Sequence, residues 1–156
     1  MTETLMLDYE ARYFRRRMVR TEAGREVLID APEARSYTDG DAVTAADGTQ
    51  LTICAAVEPL TEVKGDNLAR LAWHIGNRHT PCEVRPDCLL IQRDHVLENM
   101  LRGLGAEVSY VEAPFQPEGG AYGHGRTHRH SHSHDAHEDP NAHIPHRHGD
   151  HSHDAL

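Results

Sequence analysis

The chain has 156 residues, fourteen histidines, three cysteines and a formal net charge of −9 with histidine counted as neutral. The acidic balance argues against a general nucleic-acid binder, and no stretch approaches the ~18 apolar residues of a membrane span. Three cysteines without a CxxC spacing argue against a disulfide framework and predict a reducing compartment. Because no signal peptide opens the chain, we expect a cytoplasmic protein.

The first 57 residues predict a small, mostly antiparallel β-domain. Short runs rich in apolar and β-branched residues alternate with glycine-containing turn signals. The predicted strands are Thr4–Tyr9, Tyr13–Arg20, Glu26–Asp30 and Leu51–Val57. This region contains no catalytic pattern, so we expect it to be a scaffold or a partner-binding domain.

Five arginines cluster between Arg12 and Arg20. If the segment is a strand, Arg12, Arg16 and Arg20 share one face, because strand side chains alternate. That face is either a partner-contact surface or the charge-protected edge of a sheet. The sequence favours neither interpretation.

Two amphipathic helices are predicted after residue 57. The first follows Asp66 or Asn67 as N-cap and ends at Gly76-Asn77, which tolerate the left-handed conformation found at helix ends. Its apolar stripe consists of Leu68, Leu71, Ala72 and Ile75. The second runs from His95 to Leu104 after Asp94 as N-cap, and Gly103 or Gly105 stops it. Its apolar stripe consists of Leu97, Met100, Leu101 and Leu104.

Four short strands surround these helices and complete the order βαββαβ, the ferredoxin-like arrangement. They are predicted at Pro59–Lys64, Glu83–Arg85, Cys88–Gln92 and Ala106–Glu112. The predicted fold class is therefore α+β. We expect a β-rich domain over residues 1–57, a ferredoxin-like domain over 58–115, and a histidine-rich tail over 116–156.

The tail is expected to be disordered, since it lacks the apolar side chains that would offset the entropy of ordering its backbone. It carries eleven of the fourteen histidines: His124, His128, His130, His132, His134, His137, His143, His146, His148, His151 and His153. Alternating histidines of an extended chain point to one side, so neighbouring imidazoles can close on one ion. Imidazoles without thiolates suit Ni(II), Cu(II), Zn or Co rather than Cu(I). The alternative is an expression tag or a merely solubilising tail.

His95 is the most informative histidine outside the tail. It lies on the first turn of the second helix, on a face shared with Glu98, Asn99 and Arg102 and away from the apolar stripe. The helix N-terminus disfavours the imidazolium form, and a ligand must be neutral. Two copies of His95 across a two-fold axis would make a metal site, although a plain surface histidine remains the alternative.

His74 and His79 flank the end of the first helix. Their spacing lacks the glutamate of HExxH, so a zincin-type site does not follow. We interpret this segment as structural, with histidines that hydrogen-bond at a helix end: His74, Gly76, Asn77, Arg78 and His79. Cys82 and Cys88 lie across a predicted hairpin, but a thiolate site would need two further ligands.

Three segments together resemble the urease accessory protein E family, the nickel metallochaperones of urease maturation. They are His74–Pro81, Asp94–Leu101 and Pro114–Tyr122, followed by a histidine-rich end. The resemblance covers about residues 40–122 and implies an N-terminal domain similar to a peptide-binding domain of heat-shock co-chaperones. It further implies a homodimer in which the histidines matching His95 form an interfacial nickel site.

The same resemblance implies a carrier that delivers Ni(II) to apo-urease with the accessory GTPase and the other urease accessory proteins. Some members have an auxiliary histidine pair on the strand after the second helix, but Glu107–Val111 contains no histidine here. The alternative function is a passive nickel or zinc store in which the tail alone binds metal. A metallohydrolase would need a positioned general base, and the sequence offers no such motif.

Overall fold

The computed structural model describes residues 2–119 and has an α+β fold. The N-terminal β region contains β1 (Thr2–Leu7), a 3-10 turn (Glu10–Arg12), β2 (Tyr13–Arg20), β3 (Glu26–Ser36), β4 (Ala42–Thr44) and β5 (Gln50–Ala55). The C-terminal βαββαβ domain contains β6 (Val57–Lys64), α1 (Leu68–Asn77), β7 (Glu83–Val84), β8 (Leu89–Gln92), α2 (His95–Gly103) and β9 (Glu107–Pro114). The predicted α+β class and the predicted order of elements after residue 57 are confirmed. Neither helix in this part of the chain has the length and apolar character that crossing a membrane requires.

The N-terminal region consists of a three-stranded sheet in the order β1-β5-β4 and a two-stranded β2–β3 ribbon. Both enclose one apolar core that includes Leu5, Ile29, Leu51 and Ile53. The β1–β5 pair is parallel, while the β2–β3 and β4–β5 pairs are antiparallel. The parallel pair and the three-residue β4 were not predicted, because strand alternation carries no information about the direction of the partner strand.

Arg12 does not belong to the predicted arginine face, and this part of the sequence interpretation is wrong. It lies in the 3-10 turn before β2 and is only 2% exposed. Its guanidinium donates hydrogen bonds to the carbonyl oxygens of Leu7, Tyr37 and Phe115. Arg12 therefore joins the N-terminal region to the chain segment that follows β9.

The strand β2 also breaks the simple alternation on which that prediction relied. Its pairing with β3 shifts between Phe14 and Arg16, so Arg15, Arg16 and Arg17 are all exposed. Asp30 forms ion pairs with Arg15 at 3.5 Å and with Arg16 at 3.8 Å. The exposed arginines of this ribbon are thus partly neutralised by their own sheet.

The C-terminal sheet has the order β7-β8-β6-β9 and is antiparallel throughout. Because strand residues alternate between faces, Leu89 and Ile91 pack with the helices while Leu90 points to the opposite face. On that opposite face, Leu90 and Leu60 surround Phe115, against which Tyr9 of the N-terminal region also packs. The Tyr9 and Phe115 rings meet edge to face with centroids 5.3 Å apart.

The predicted N-caps of both helices are confirmed, whereas the predicted conformation at the end of α1 is not. Asn67 caps α1 by accepting a hydrogen bond from the Arg70 amide at 3.1 Å, and Asp94 caps α2. The helix ends at Asn77, as predicted, but Gly76 and Asn77 are helical, so the predicted left-handed conformation at these residues is wrong. The left-handed residue is His79, with φ of 56°. For α2, Gly105 adopts this conformation with φ of 89°, which confirms one of the two predicted stops.

Candidate functional site

Two of the histidines that the sequence singled out lie at one end of the C-terminal sheet. This is the end at which β6 begins. Strand β8 ends here, with Gln92 paired to Leu60, and β9 ends here, with Pro114 paired to Val57. Helix α2 follows β8 directly and therefore begins at this end. Helix α1 starts after β6 at the far end and runs back, so its last turn lies at the same end. His79 and His95 are consequently placed at one end of the domain.

The chain leaves β9 along the same end of the domain. Phe115 is fully buried, the Gln116 amide donates to Oε1 of Glu83 at 2.7 Å, and the Glu118 amide donates to the Cys82 carbonyl at 2.8 Å. These hydrogen bonds attach residues 116–118 to the start of β7. The histidine-rich tail therefore originates at the end of the domain that carries His95.

The N-terminus of α2 presents His95 on a rigid backbone. Oδ1 of Asp94 accepts hydrogen bonds from the amides of Val96 at 3.0 Å and Leu97 at 3.1 Å. The imidazole of His95 is exposed, whereas Leu97 and Leu101 are buried in the core between helices and sheet. The structure thus places His95 on the protein surface, as the position of the apolar stripe predicted.

Glu98 departs from the predicted exposed face that it shares with His95. It is only 1% exposed, and its Oε2 accepts a hydrogen bond from the Asp94 amide at 2.9 Å. Asp94 and Glu98 therefore cap the first turn reciprocally. Sequence reasoning missed this role, although an acidic N-cap followed by a glutamate within the first turn is the relevant signal.

His74 and His79 do not make the predicted hydrogen bonds through their side chains. Within residues 2–119 neither imidazole forms a hydrogen bond or an ion pair, and His74 instead meets the Trp73 ring edge to face at 5.0 Å. The backbone of His79 does serve the helix end, because its amide donates to the Gly76 carbonyl at 2.9 Å. The structural role of this segment lies in its backbone.

Cys82 and Cys88 are poor metal ligands in this environment. All three are free thiols. Burial, together with the nearby carboxylates of Glu118 and Glu83, raises the pKa of Cys82 to about 11. Burial also raises the pKa of Cys88. Since a thiolate is the form that binds metal, both groups are protonated and weakly ligating near neutral pH.

No group of three or more histidine, cysteine, aspartate or glutamate side chains in residues 2–119 is arranged to hold a metal ion. The eleven predicted tail ligands, His124 to His153, lie outside the described residues. A metal at His95 would therefore need ligands from the tail or from a second copy of the chain. Two-fold pairing would supply a second, symmetry-related imidazole.

Comparisons with known proteins connect both halves of the chain to one family. The family model for the UreE urease accessory protein N-terminal domain matches residues 1–56, and the model for its C-terminal domain matches residues 58–154. These two matches agree with the resemblance found in the three sequence segments.

Individual relatives support the same assignment over most of the chain. The urease accessory protein UreE of Paracoccus denitrificans (strain Pd 1222) is 55% identical over 123 residues, which cover 79% of this chain and 79% of that protein. The UreE protein of Rhodobacter capsulatus is 52% identical over 128 residues, which cover 82% of this chain and 81% of that protein. The UreE protein of Ruegeria sp. (strain TM1040) is 50% identical over 126 residues, which cover 81% of this chain and 72% of that protein. With both family models and these relatives in agreement, the chain belongs to the family of UreE urease accessory proteins.

Proposed function

We propose that the chain is a nickel metallochaperone rather than an enzyme, and that it donates Ni(II) to apo-urease during assembly of the urease metal centre. Family membership supports a role in urease maturation. The observation that carries the nickel role is the position of His95. Its imidazole is exposed, and its backbone is held at a capped helix N-terminus. A ligand in this position binds metal without any rearrangement of the fold.

The active form in this proposal is a homodimer, with His95 of each subunit facing the other across a two-fold axis. Three of the exposed apolar side chains of the C-terminal domain support association: Trp73, Val96 and Tyr110, which are 63%, 55% and 61% exposed. Val96 directly follows His95, so apolar contact there would bring the two imidazoles together. An isologous interface doubles every ligand, and this turns one imidazole per chain into a pair.

The tail would act as a collector that supplies this paired site. Its histidines offer many weak, exchangeable ligands, and the attachment of residues 116–118 to β7 fixes its origin near the end that carries His95. Tethering raises the local nickel concentration without any new contact. Transfer then proceeds by ligand exchange to a more complete site on the recipient, with the accessory GTPase and the other urease accessory proteins as partners.

Each proposed domain has its own role. Residues 1–57 bind a partner or peptide, residues 58–115 form the paired metal site, and residues 116–156 collect metal. The three cysteines without a paired spacing are typical of a reducing compartment, which supports a cytoplasmic location. Zn, Cu(II) and Co would bind the same imidazoles in vitro, since Cu(II) exceeds nickel in the general order of affinities.

A urease activation assay tests the proposal. Apo-urease with its accessory proteins is activated at limiting nickel in the presence of the wild-type chain, of His95→Ala, or of a chain ending at Tyr122. We expect His95→Ala to abolish the stimulation and the shortened chain to need more nickel. Full stimulation by His95→Ala together with none by the shortened chain would instead support the passive store, in which the tail alone binds metal.

A further inference from the structure

The two oxygens of the Glu98 carboxylate have unequal surroundings. Oε2 accepts the Asp94 amide hydrogen at 2.9 Å, whereas Oε1 is buried and has no hydrogen-bond partner within residues 2–119. The residue as a whole is 1% exposed. Buried polar atoms are nearly always hydrogen-bonded, because an unsatisfied one keeps the full cost of its lost hydration. Oε1 is therefore expected to accept a hydrogen bond from a nearby donor.

The neighbouring cationic side chain does not supply that donor. Arg102 lies one helical turn after Glu98, at the spacing of a helix ion pair, but its Nη1 donates to Oδ1 of Asn99 at 3.1 Å. Asp94, on the other side, is occupied with capping the amides of Val96 and Leu97. Among the side chains of the first turn of α2, His95 is the one that carries an N–H donor.

His95 is three residues before Glu98, and side chains at this spacing are neighbours on a helix surface. The Glu98 carboxylate reaches back to the Asp94 amide, so it lies at the level of the first turn from which the His95 side chain projects. The proposed contact needs a rotation of the exposed imidazole over this turn, toward Oε1. Such a rotation disturbs no packing, since His95 is outside the apolar core.

We propose that Glu98 is a positioning residue for His95: its Oε1 accepts a hydrogen bond from Nδ1–H and leaves Nε2 unprotonated as the nickel ligand. A neutral imidazole carries one proton, and a hydrogen bond at one ring nitrogen decides which nitrogen keeps it. Metal-bound histidines usually donate their second ring N–H to such an acceptor. This inference rests on the proposed function only in its nickel step, since the proposed hydrogen bond does not require metal.

Glu98→Gln separates this role from simple helix capping. The glutamine oxygen can still accept from the Asp94 amide, so the cap is kept. The amide nitrogen then takes the place of Oε1 and donates to Nδ1 of His95. The imidazole proton must move to Nε2, and Nε2–H cannot bind a metal. A residue that acted only as a cap would leave the imidazole tautomer unchanged.

The test is nitrogen NMR of the full-length chain labelled with ¹⁵N-histidine, near pH 8, with the His95 signals identified by their loss in His95→Ala. We expect the Nδ1–H tautomer in the wild type and in the control Arg102→Gln, and the Nε2–H tautomer in Glu98→Gln. Added nickel is followed at the Val96 amide signal of a second, uniformly ¹⁵N-labelled sample. We expect its response to require 10–100-fold more nickel in Glu98→Gln, the usual cost of losing an outer-sphere partner.

The possible failures are distinguishable. A wild-type His95 that carries its proton on Nε2 overturns the proposal without any variant. An unchanged tautomer in Glu98→Gln overturns it as well, even if His95→Ala abolishes the nickel response and so upholds the nickel site. If Glu98→Gln changes the tautomer while His95→Ala leaves the Val96 response to nickel intact, the contact is upheld and the proposed nickel site fails.

Discussion

Replacing Arg12 by methionine removes a buried guanidinium while keeping most of its apolar stem. The structure gives this guanidinium three carbonyl acceptors, on Leu7, Tyr37 and Phe115, which lie far apart in the sequence. At about 1.5 kcal/mol for each hydrogen bond from a charged donor, the free energy of unfolding should fall by about 4.5 kcal/mol. Such a loss is a large part of the total stability of a typical domain.

Urea denaturation at one fixed protein concentration measures this change, and the fixed concentration is needed because dimerisation would add to the apparent stability. Arg17→Met is the matched control: Arg17 is exposed and donates to the Ala11 carbonyl at 3.0 Å. Its replacement should change stability by about 0.5 kcal/mol or less. Equal losses below about 1 kcal/mol in both variants would refute the buried bridge between the N-terminal region and Phe115.

Three further outcomes follow from the structure. Because His79 has a left-handed backbone, His79→Val should lower stability by about 1–2 kcal/mol while His79→Gly should not lower it; a valine variant as stable as wild type in thermal unfolding would contradict this conformation. The pKa of Cys82 is raised from 9.0 to about 11 in the folded chain, so its contribution to stability is present below pH 9 and is lost as pH rises toward 11. Cys82→Ser should flatten that alkaline loss in unfolding measurements, and an unchanged profile would refute the assignment. Nickel loading of the full chain should weaken as pH falls through the imidazole pKa of ~6.5, since protons compete for the ligands; calorimetry showing equal affinity at about pH 5 and about pH 8 would exclude histidine ligation.

Local features of the fold could be predicted from the sequence because their causes are local. Asn67 and Asp94 cap the helices through bonds to amides two or three residues away, and a polar residue before an apolar stripe is a sufficient signal. The βαββαβ order follows from the periodicity of consecutive segments in the same way. The left-handed residue at the end of α1 was misplaced because Gly76 and Asn77 tolerate that conformation without requiring it.

Features that depend on distant segments could not be predicted. The parallel β1–β5 pair joins residues about fifty positions apart, and the burial of Arg12 depends on carbonyls contributed by three separate parts of the chain. At the candidate site, the exposure of His95 followed from helix periodicity. The burial of Glu98 did not, because it depends on how closely α2 packs in the tertiary fold.

The central claim is that a paired His95 site, and not the tail alone, binds nickel. A chain ending at Tyr122 should therefore be titrated with nickel by calorimetry while light scattering reports its mass, alongside its His95→Ala and His74→Ala variants. The account predicts one tightly bound nickel for every two chains, retained in His74→Ala and lost in His95→Ala. Absence of tight binding in the shortened chain, or its persistence in His95→Ala, would contradict the account.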